Sequence, residues 1–366
     1  MVRQRRLLHQ IFLIAAFAAL SMSFTFLRYE LHSSYDMTMI HNIHSASNTI
    51  VDESRQRPIR PESVHILYGL SGNAPAFLSE FETSLKSVLL NNPINYDLTI
   101  HVMADTKAFR ALPAVLERTQ VKTWRTRNQI TIQIYNVNSK IPHWTQWIEN
   151  KTKLSIREFT MYHPFGMFFR LFVQDIVDPE SVHHVIYLDT DVLIMVPLDG
   201  LWKHIDPRSY FEWGTSECSG FIVLNVPQLH HVWDLTSTID LRNISLQLRE
   251  TPGDQLLFRA INHTYPNVVS ILPQEWDVAL AHDLWRGSLL KHRPKGIGTM
   301  HFNGHSEANT NAFESSAVLS SDKRKHEWGL ANYYVRIAWP WVKFIVESTV
   351  NLDRGFDVVI VWKNDT

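Results

Sequence analysis

The sequence predicts an α/β protein with a Rossmann-like, mainly parallel central sheet and helices on both faces. Three observations carry this. Short runs rich in β-branched and other apolar residues recur at Val64–Tyr68, Leu98–Met103, Ile130–Ile134 and Val182–Leu188. Stretches of helical periodicity alternate with them. The resulting β-α-β-α-β-α-β order is that of strands joined by crossover helices.

The elements follow in chain order. After the strand at Val64–Tyr68 comes a turn containing Gly69, Ser71, Gly72 and Asn73, then a helix with apolar positions at Leu78, Phe81, Leu85, Val88 and Leu89. Leu98–Met103 is the second strand, a helix spans about Lys107 to Arg118, and Ile130–Ile134 is the third strand. A helix around Thr160–Ile176 leads into the strand that ends in Asp189-Thr190-Asp191. Further on lie an apolar strand at Phe221–Leu224, a helix from about Gly253 to Asn262, a strand at Val268–Leu272 and the short run Met300-His-Phe. Leu330 to Val350 is aromatic and helical in pattern, broken at Pro340. No G-x-G-x-x-G follows the first strand, so a dinucleotide site is not expected.

Composition narrows the function. The 366 residues carry 35 Lys and Arg against 36 Asp and Glu, which leaves no basic excess and argues against a nucleic-acid partner. With 12 Trp, 19 Phe and 11 Tyr a large core is easily built. Arg3, Arg5 and Arg6 precede an apolar run from Ile11 to Leu27. That run sits at the short edge of the roughly 17–25 residues that span a bilayer. Preceding positive charge keeps this end cytoplasmic. A cleavable signal peptide shares the pattern, but the run exceeds the usual ~7–15-residue signal core, which favours an uncleaved anchor.

The expected organisation is a cytoplasmic tail at 1–10, a transmembrane signal anchor at 11–27, a polar luminal stem at 28–62, a catalytic domain at 63–350 and a C-terminal tail at 351–366. The chain would then be a single-pass type II protein of the Golgi or endoplasmic reticulum membrane. Sequons at Asn150, Asn243, Asn262 and Asn364 fit a luminal domain. Cys218 is the only cysteine, so no intrachain disulfide forms. Oligomeric state is not readable from the sequence.

The chemistry centres on Asp189-Thr190-Asp191. On an extended strand, residues i and i+2 point the same way, so both carboxylates would converge on one hard cation at the strand's carboxyl end. That end is where open α/β sheets bind ligands. Alone, the triplet is common and reads first as a solvated loop after a strand.

Other segments line up with it: Phe168-Phe-Arg170-Leu-Phe172 upstream, then Cys218-Ser219-Gly220-Phe-Ile-Val-Leu-Asn225, Gly253-Asp254-Gln255-Leu-Leu257, Leu272-Pro-Gln-Glu-Trp-Asp277 and Met300-His301-Phe-Asn303-Gly304. In order and spacing, over about residues 64–348, they resemble the retaining glycosyltransferases of family 8, which have the GT-A fold. In appearance the chain is most similar to the glucoside and xyloside α-xylosyltransferases and the xylosyl domain of LARGE-type enzymes. The resemblance implies Asp189, Asp191 and His301 as ligands of Mn²⁺ or another divalent cation that grips a UDP-sugar. It implies that Arg170 positions the Asp pair or the donor, that Asp254 orients sugar hydroxyls, and that Gln255 lies near the anomeric carbon. Leu67, Tyr68, Gly69, Leu70, Ser71 and Asn73 would cradle the uridine, and Ser219, Gly220, Asn303, Gly304 and His305 would border the donor.

Two departures stand out. Cys218 replaces the family's usual Asn, and His305-Ser-Glu-Ala stands where a Lys often reaches the diphosphate. The implied activity is retaining transfer of a sugar, xylose first and then glucose or galactose, to a glycan or glycoprotein acceptor. An impaired family member that only binds a glycan or nucleotide sugar is the alternative. A metal-dependent hydrolase of nucleotide sugars is a further one, for which no second acidic cluster is found.

Overall fold

The computed structural model describes residues 63–301, apart from 92–95, 120–124, 127, 158–164, 216, 249–252 and 280–297, and residues 356–364. The expected tail, anchor and stem, the aromatic segment at 330–350, and Asn303, Gly304 and His305 lie outside the described residues. No helix among the described residues is long and apolar enough to cross a membrane.

The mixed α/β expectation with a mostly parallel sheet holds. Strands β1 (Ser63–Leu70), β2 (Asp97–Ala104), β3 (Arg125–Thr126), β4 (Ile130–Asn136), β5 (His184–Leu188), β7 (Phe211–Trp213), β8 (Phe221–Asn225), β9 (Val269–Ile271) and β12 (Phe356–Lys363) form one sheet, in the order β3-β12-β4-β2-β1-β5-β8-β7-β9. The run from β12 through β4, β2 and β1 to β5 is parallel. Beyond it, β8 lies antiparallel to both β5 and β7. A smaller sheet joins β6 (Val192–Ile194), β11 (Thr299–His301) and β10 (Val278–Ala279).

Each face of the large sheet has its own core. Helices α1 (Pro75–Leu90) and α2 (Thr106–Arg118) cover the face that carries Val64, Ile66, Tyr68 and Leu70. The apolar stripe of α1 at Leu78, Phe81, Leu85, Val88 and Leu89 is buried throughout, as its spacing requires. Replacing the fully buried Phe81 by Ala would cost about 3–5 kcal/mol in lost transfer energy and cavity. Helix α2 starts where Asp105 accepts a hydrogen bond from the Ala108 amide, a side-chain cap on an otherwise orphaned donor. The opposite face, with Leu67, Met103 and Tyr135, packs against α3 (Ile141–Thr152), a 3-10 helix (Phe165–Asp175), α4 (Leu229–Thr236), α5 (Leu241–Leu248) and α6 (Asp254–Thr264).

Three expectations are corrected, and one further element comes to light. Within the helix expected around 160–176, the described Phe165–Asp175 form a 3-10 helix interrupted at Phe172. Its start is pressed onto the end of β1: a Cβ on Gly69 would sit 2.9 Å from the Gly166 carbonyl, and one on Gly166 2.7 Å from Ser71 Cβ. Helix α3 was not anticipated. Residues 356–363, expected within a tail, form β12, inserted between β3 and β4. Finally, the strand bearing the Asp pair ends at Leu188. Asp189, Thr190 and Asp191 form a turn closed by the Val192 amide donating to the Asp189 carbonyl at 3.1 Å. The two carboxylates converge through that turn and not along an extended strand.

Candidate functional site

The turn hands the chain from the large sheet to the small one, and this transfer assembles the site. Strand β6 begins at Val192, immediately after Asp191, and β11 pairs with it antiparallel so that His301 lies opposite Val192. His301 Nε2 is thereby 3.3 Å from Asp191 Oδ1. Ligand atoms of Asp189, Asp191 and His301 lie within 4.8 Å of one another.

Gly220 keeps this space open. A Cβ there would fall 2.2 Å from His301 Cε1, 2.6 Å from Nε2 and 2.9 Å from Asp189 Oδ2. Only a residue without a side chain lets the β7–β8 hairpin approach the triad. Two carboxylates and an imidazole around such a cleared point fit a divalent cation that accepts mixed oxygen and nitrogen ligands. Among the described residues, buried His301 Nδ1 has no hydrogen-bond partner. Burial alone lowers the His301 pKa, but Cys218 and Asp191 beside the ring raise it well above the ordinary histidine value.

Behind the triad stands Arg170, buried on the 3-10 helix. Its guanidinium donates to Asp189 Oδ1 at 2.9 Å, to the Tyr187 hydroxyl at 3.1 Å and to the Ser219 carbonyl, and forms an ion pair with Asp254 Oδ2 at 3.2 Å. Its carbon centre lies 3.8 Å from the centre of the Tyr187 ring, close enough for a cation–π contact. Burial pulls the Arg170 pKa down, but Asp189 and Asp254 outweigh it and hold the group charged. Asp254 is the first residue of α6, directly after the Gly253 N-cap, where the helix dipole favours a carboxylate. It also accepts a 2.9 Å hydrogen bond from the Ser219 hydroxyl. Burial pushes its pKa up, against the pull of Arg170 and Ser219.

The expected site residues thus divide. Asp189, Asp191, His301, Arg170, Ser219, Gly220 and Asp254 come together, with Cys218 against His301 and half-buried Gln255 beside Asp254 in sequence. Thr190 turns away, its buried hydroxyl 3.3 Å from Glu80 on α1. Leu67, Tyr68 and Leu70, expected to cradle uridine, have core side chains, and the Tyr68 hydroxyl bonds Ser84 at 2.9 Å. A strand flanked by neighbours on both sides offers alternate residues to the two cores, so these side chains cannot line a surface loop. Ser71 is spent structurally, donating to Asp105 Oδ2 at 2.8 Å, and Asn73 is exposed. Tyr187 was missed. Its signal was present in the sequence, which puts it two residues before Asp189 in the apolar run that leads to the Asp pair.

No family model matches the chain, and no curated protein matches it in sequence. Solved structures do. Mouse xyloside xylosyltransferase 1, in its apo form, is similar with a TM-score of 0.50 at 15% identity, covering 66% of this chain and 98% of that one. The galactosyltransferase LgtC, in complex with donor and acceptor sugar analogues, is similar with a TM-score of 0.45 at 14% identity, over 72% of this chain and 100% of that one. The glycosyltransferase GlyE of Streptococcus pneumoniae TIGR4 has a TM-score of 0.42 at 13% identity, over 77% of this chain and 62% of that one. At such identities the likeness is one of architecture, and this chain shares the fold of the mouse xylosyltransferase.

Proposed function

We propose that the chain is a metal-dependent retaining glycosyltransferase of family 8, moving a sugar from a UDP-sugar to a glycan or glycoprotein acceptor. The convergence of Asp189, Asp191 and His301 beside the cleared face of Gly220 carries this reading. These three side chains would hold Mn²⁺ or a similar ion, which when bound supplies positive charge to the departing diphosphate. The protein's remaining task is to place the sugar. Asp254, held by Arg170 and Ser219, is rigid enough to orient sugar hydroxyls, with Gln255 next to it on the first turn of α6.

Retention through a covalent intermediate needs a free carboxylate nucleophile. Asp254 is engaged by both Arg170 and Ser219, which disfavours that role and favours front-face transfer. In that route the acceptor hydroxyl proton passes to the leaving diphosphate oxygen. Xylose is the first donor proposed, followed by glucose and galactose. The apolar run at Ile11–Leu27 would anchor the protein with this domain in the Golgi or endoplasmic reticulum lumen. The Asn150 and Asn243 residues of two sequons are exposed, as glycosylation there would need.

The test is a panel of UDP-sugars offered to the full-length protein with Mn²⁺, reading released UDP. Turnover of one donor that disappears in Asp191→Asn is the expected result. Cys218, beside His301 where the family usually has Asn, favours a second reading, a binding protein that retains the site without turnover. Mn²⁺ and UDP binding with no released UDP across the panel and a range of glycan acceptors would establish that alternative.

A further inference from the structure

The two oxygens of Asp189 have different surroundings. Oδ1 accepts two hydrogen bonds, from Arg170 Nη2 at 2.9 Å and from the Tyr187 hydroxyl at 2.8 Å. A carboxylate oxygen offers about two lone-pair directions, so Oδ1 is fully committed. Oδ2 faces the other way, toward the point that a Gly220 side chain would fill, the same point that His301 Nε2 approaches. From this asymmetry we infer that Tyr187 is a positioning residue of the metal site: with Arg170 it ties Oδ1, so that Asp189 binds its cation through Oδ2 alone.

The pieces are arranged for that purpose. Tyr187 lies near the end of β5 and Asp189 just past it, and the Tyr187 hydroxyl reaches Asp189 Oδ1 at 2.8 Å. Tyr187 is buried, and its hydroxyl donates to Asp189 Oδ1 while accepting from Arg170 Nη2 at 3.1 Å. The Tyr187 ring also carries the Arg170 guanidinium on its face, so one residue fixes both donors to Oδ1.

Single-oxygen ligation has a consequence for metal choice. Ca²⁺ accepts two-oxygen carboxylate ligation and high coordination numbers, whereas smaller ions favour one oxygen per carboxylate in near-octahedral geometry. Holding Oδ1 away biases the site toward the smaller ions. Tyr187→Phe removes one of the two ties and leaves the ring and its packing in place.

The inference rests on the metal reading of the triad and is tested by metal binding to the full-length protein without nucleotide. Free Mn²⁺ is read by its electron paramagnetic resonance signal, and Ca²⁺ is added as competitor. Tyr187→Phe is expected to weaken Mn²⁺ binding about tenfold, the usual scale for an outer-shell partner. It should also raise Ca²⁺ affinity relative to Mn²⁺, with the thermal midpoint in chelator unchanged; a merely structural tyrosine would move the midpoint and leave the Ca²⁺ to Mn²⁺ ratio alone. A folded variant with wild-type Mn²⁺ affinity and ratio overturns the inference while the metal site stands. Wild-type protein that binds no Mn²⁺ overturns the metal reading itself, and the inference with it. Should Tyr187→Phe fail to fold, the wild-type protein decides: preference for Mn²⁺ over Ca²⁺ by about tenfold or more supports single-oxygen ligation, and equal binding overturns it.

Discussion

Two buried polar networks lie on the same large sheet, and they solve the problem of burial differently. Around Asp189 the groups are charged: Arg170 sits between Asp189 and Asp254, with Tyr187 and Ser219 completing the hydrogen bonds. Across β1, β2, β4 and β12 the groups are neutral, apart from Lys363 at the exposed end. There Ser63 meets His65 Nε2 at 2.7 Å, His65 Nδ1 meets His101 Nε2 at 3.0 Å, His101 Nδ1 meets the Tyr135 hydroxyl at 3.0 Å, and Tyr135 donates to Gln133. Every link is satisfied if both imidazoles are neutral with the proton on Nδ1, so donors run one way along the ladder. Burial pushes His65 down to about 4; burial, then His65 and Lys363, push His101 down to about 3. The difference teaches that pairing decides which buried groups keep their charge. The charged network leaves Asp189 Oδ2 facing the point that a Gly220 side chain would fill. The neutral ladder leaves nothing open and staples four strands together.

The largest expected effect comes from breaking the charged network. Arg170→Met should lower unfolding free energy by about 3–5 kcal/mol, because it strands two carboxylates beside each other. Chemical denaturation measures this, and a loss below that of a neutral-ladder variant such as Tyr135→Phe would erase the contrast. Next, Gly220→Ala forces a side chain into the triad. Overpacking of this kind costs about 1–3 kcal/mol. Mn²⁺ binding, followed by calorimetry, should be lost; binding that persists would mean the triad is not the cation's site.

The ladder supplies the third test, in pH. Both histidines have folded pKa values below the ordinary 6.5, so the unfolded chain binds more protons as pH falls. Their contribution to stability is fully present above about 6.5 and is lost as pH drops through 6.5 toward 4 and 3, where protonation sets two donors against each other. The thermal midpoint should fall between pH 7 and pH 4.5, and less steeply in a His65→Asn/His101→Asn double variant. An unchanged slope would remove the ladder as its source. The smallest effect is at the exposed end of the ladder. Lys363, which reaches Gln133 at 3.0 Å from the surface, should contribute no more than about 0.5 kcal/mol when replaced by Ala.

Much of this architecture is legible in the sequence because its signals are local. The β-branched runs of β1, β2, β4 and β5 and the apolar stripe of α1 repeat at the period of the element they form. Helix α3 shows why others escape. Its buried face is a narrow stripe of Trp144, Ile148 and Thr152 behind Pro142, too thin to stand out from a polar segment. Phe356–Lys363 carried a β-branched run of its own, but its place between β3 and β4 depends on strands more than 200 residues earlier.

By itself the sequence determined that a strand runs up to two carboxylates, that Gly220, Asp254 and His301 follow in order, and that the sheet is mainly parallel. These are matters of residue type and local period. Only the tertiary structure decided that the carboxylates converge through a turn, that Oδ1 of Asp189 is tied while Oδ2 is free, and that His301 arrives opposite Val192. Side-chain direction in a turn and antiparallel register across a long stretch of chain are set by packing of the whole, which no local window of sequence contains.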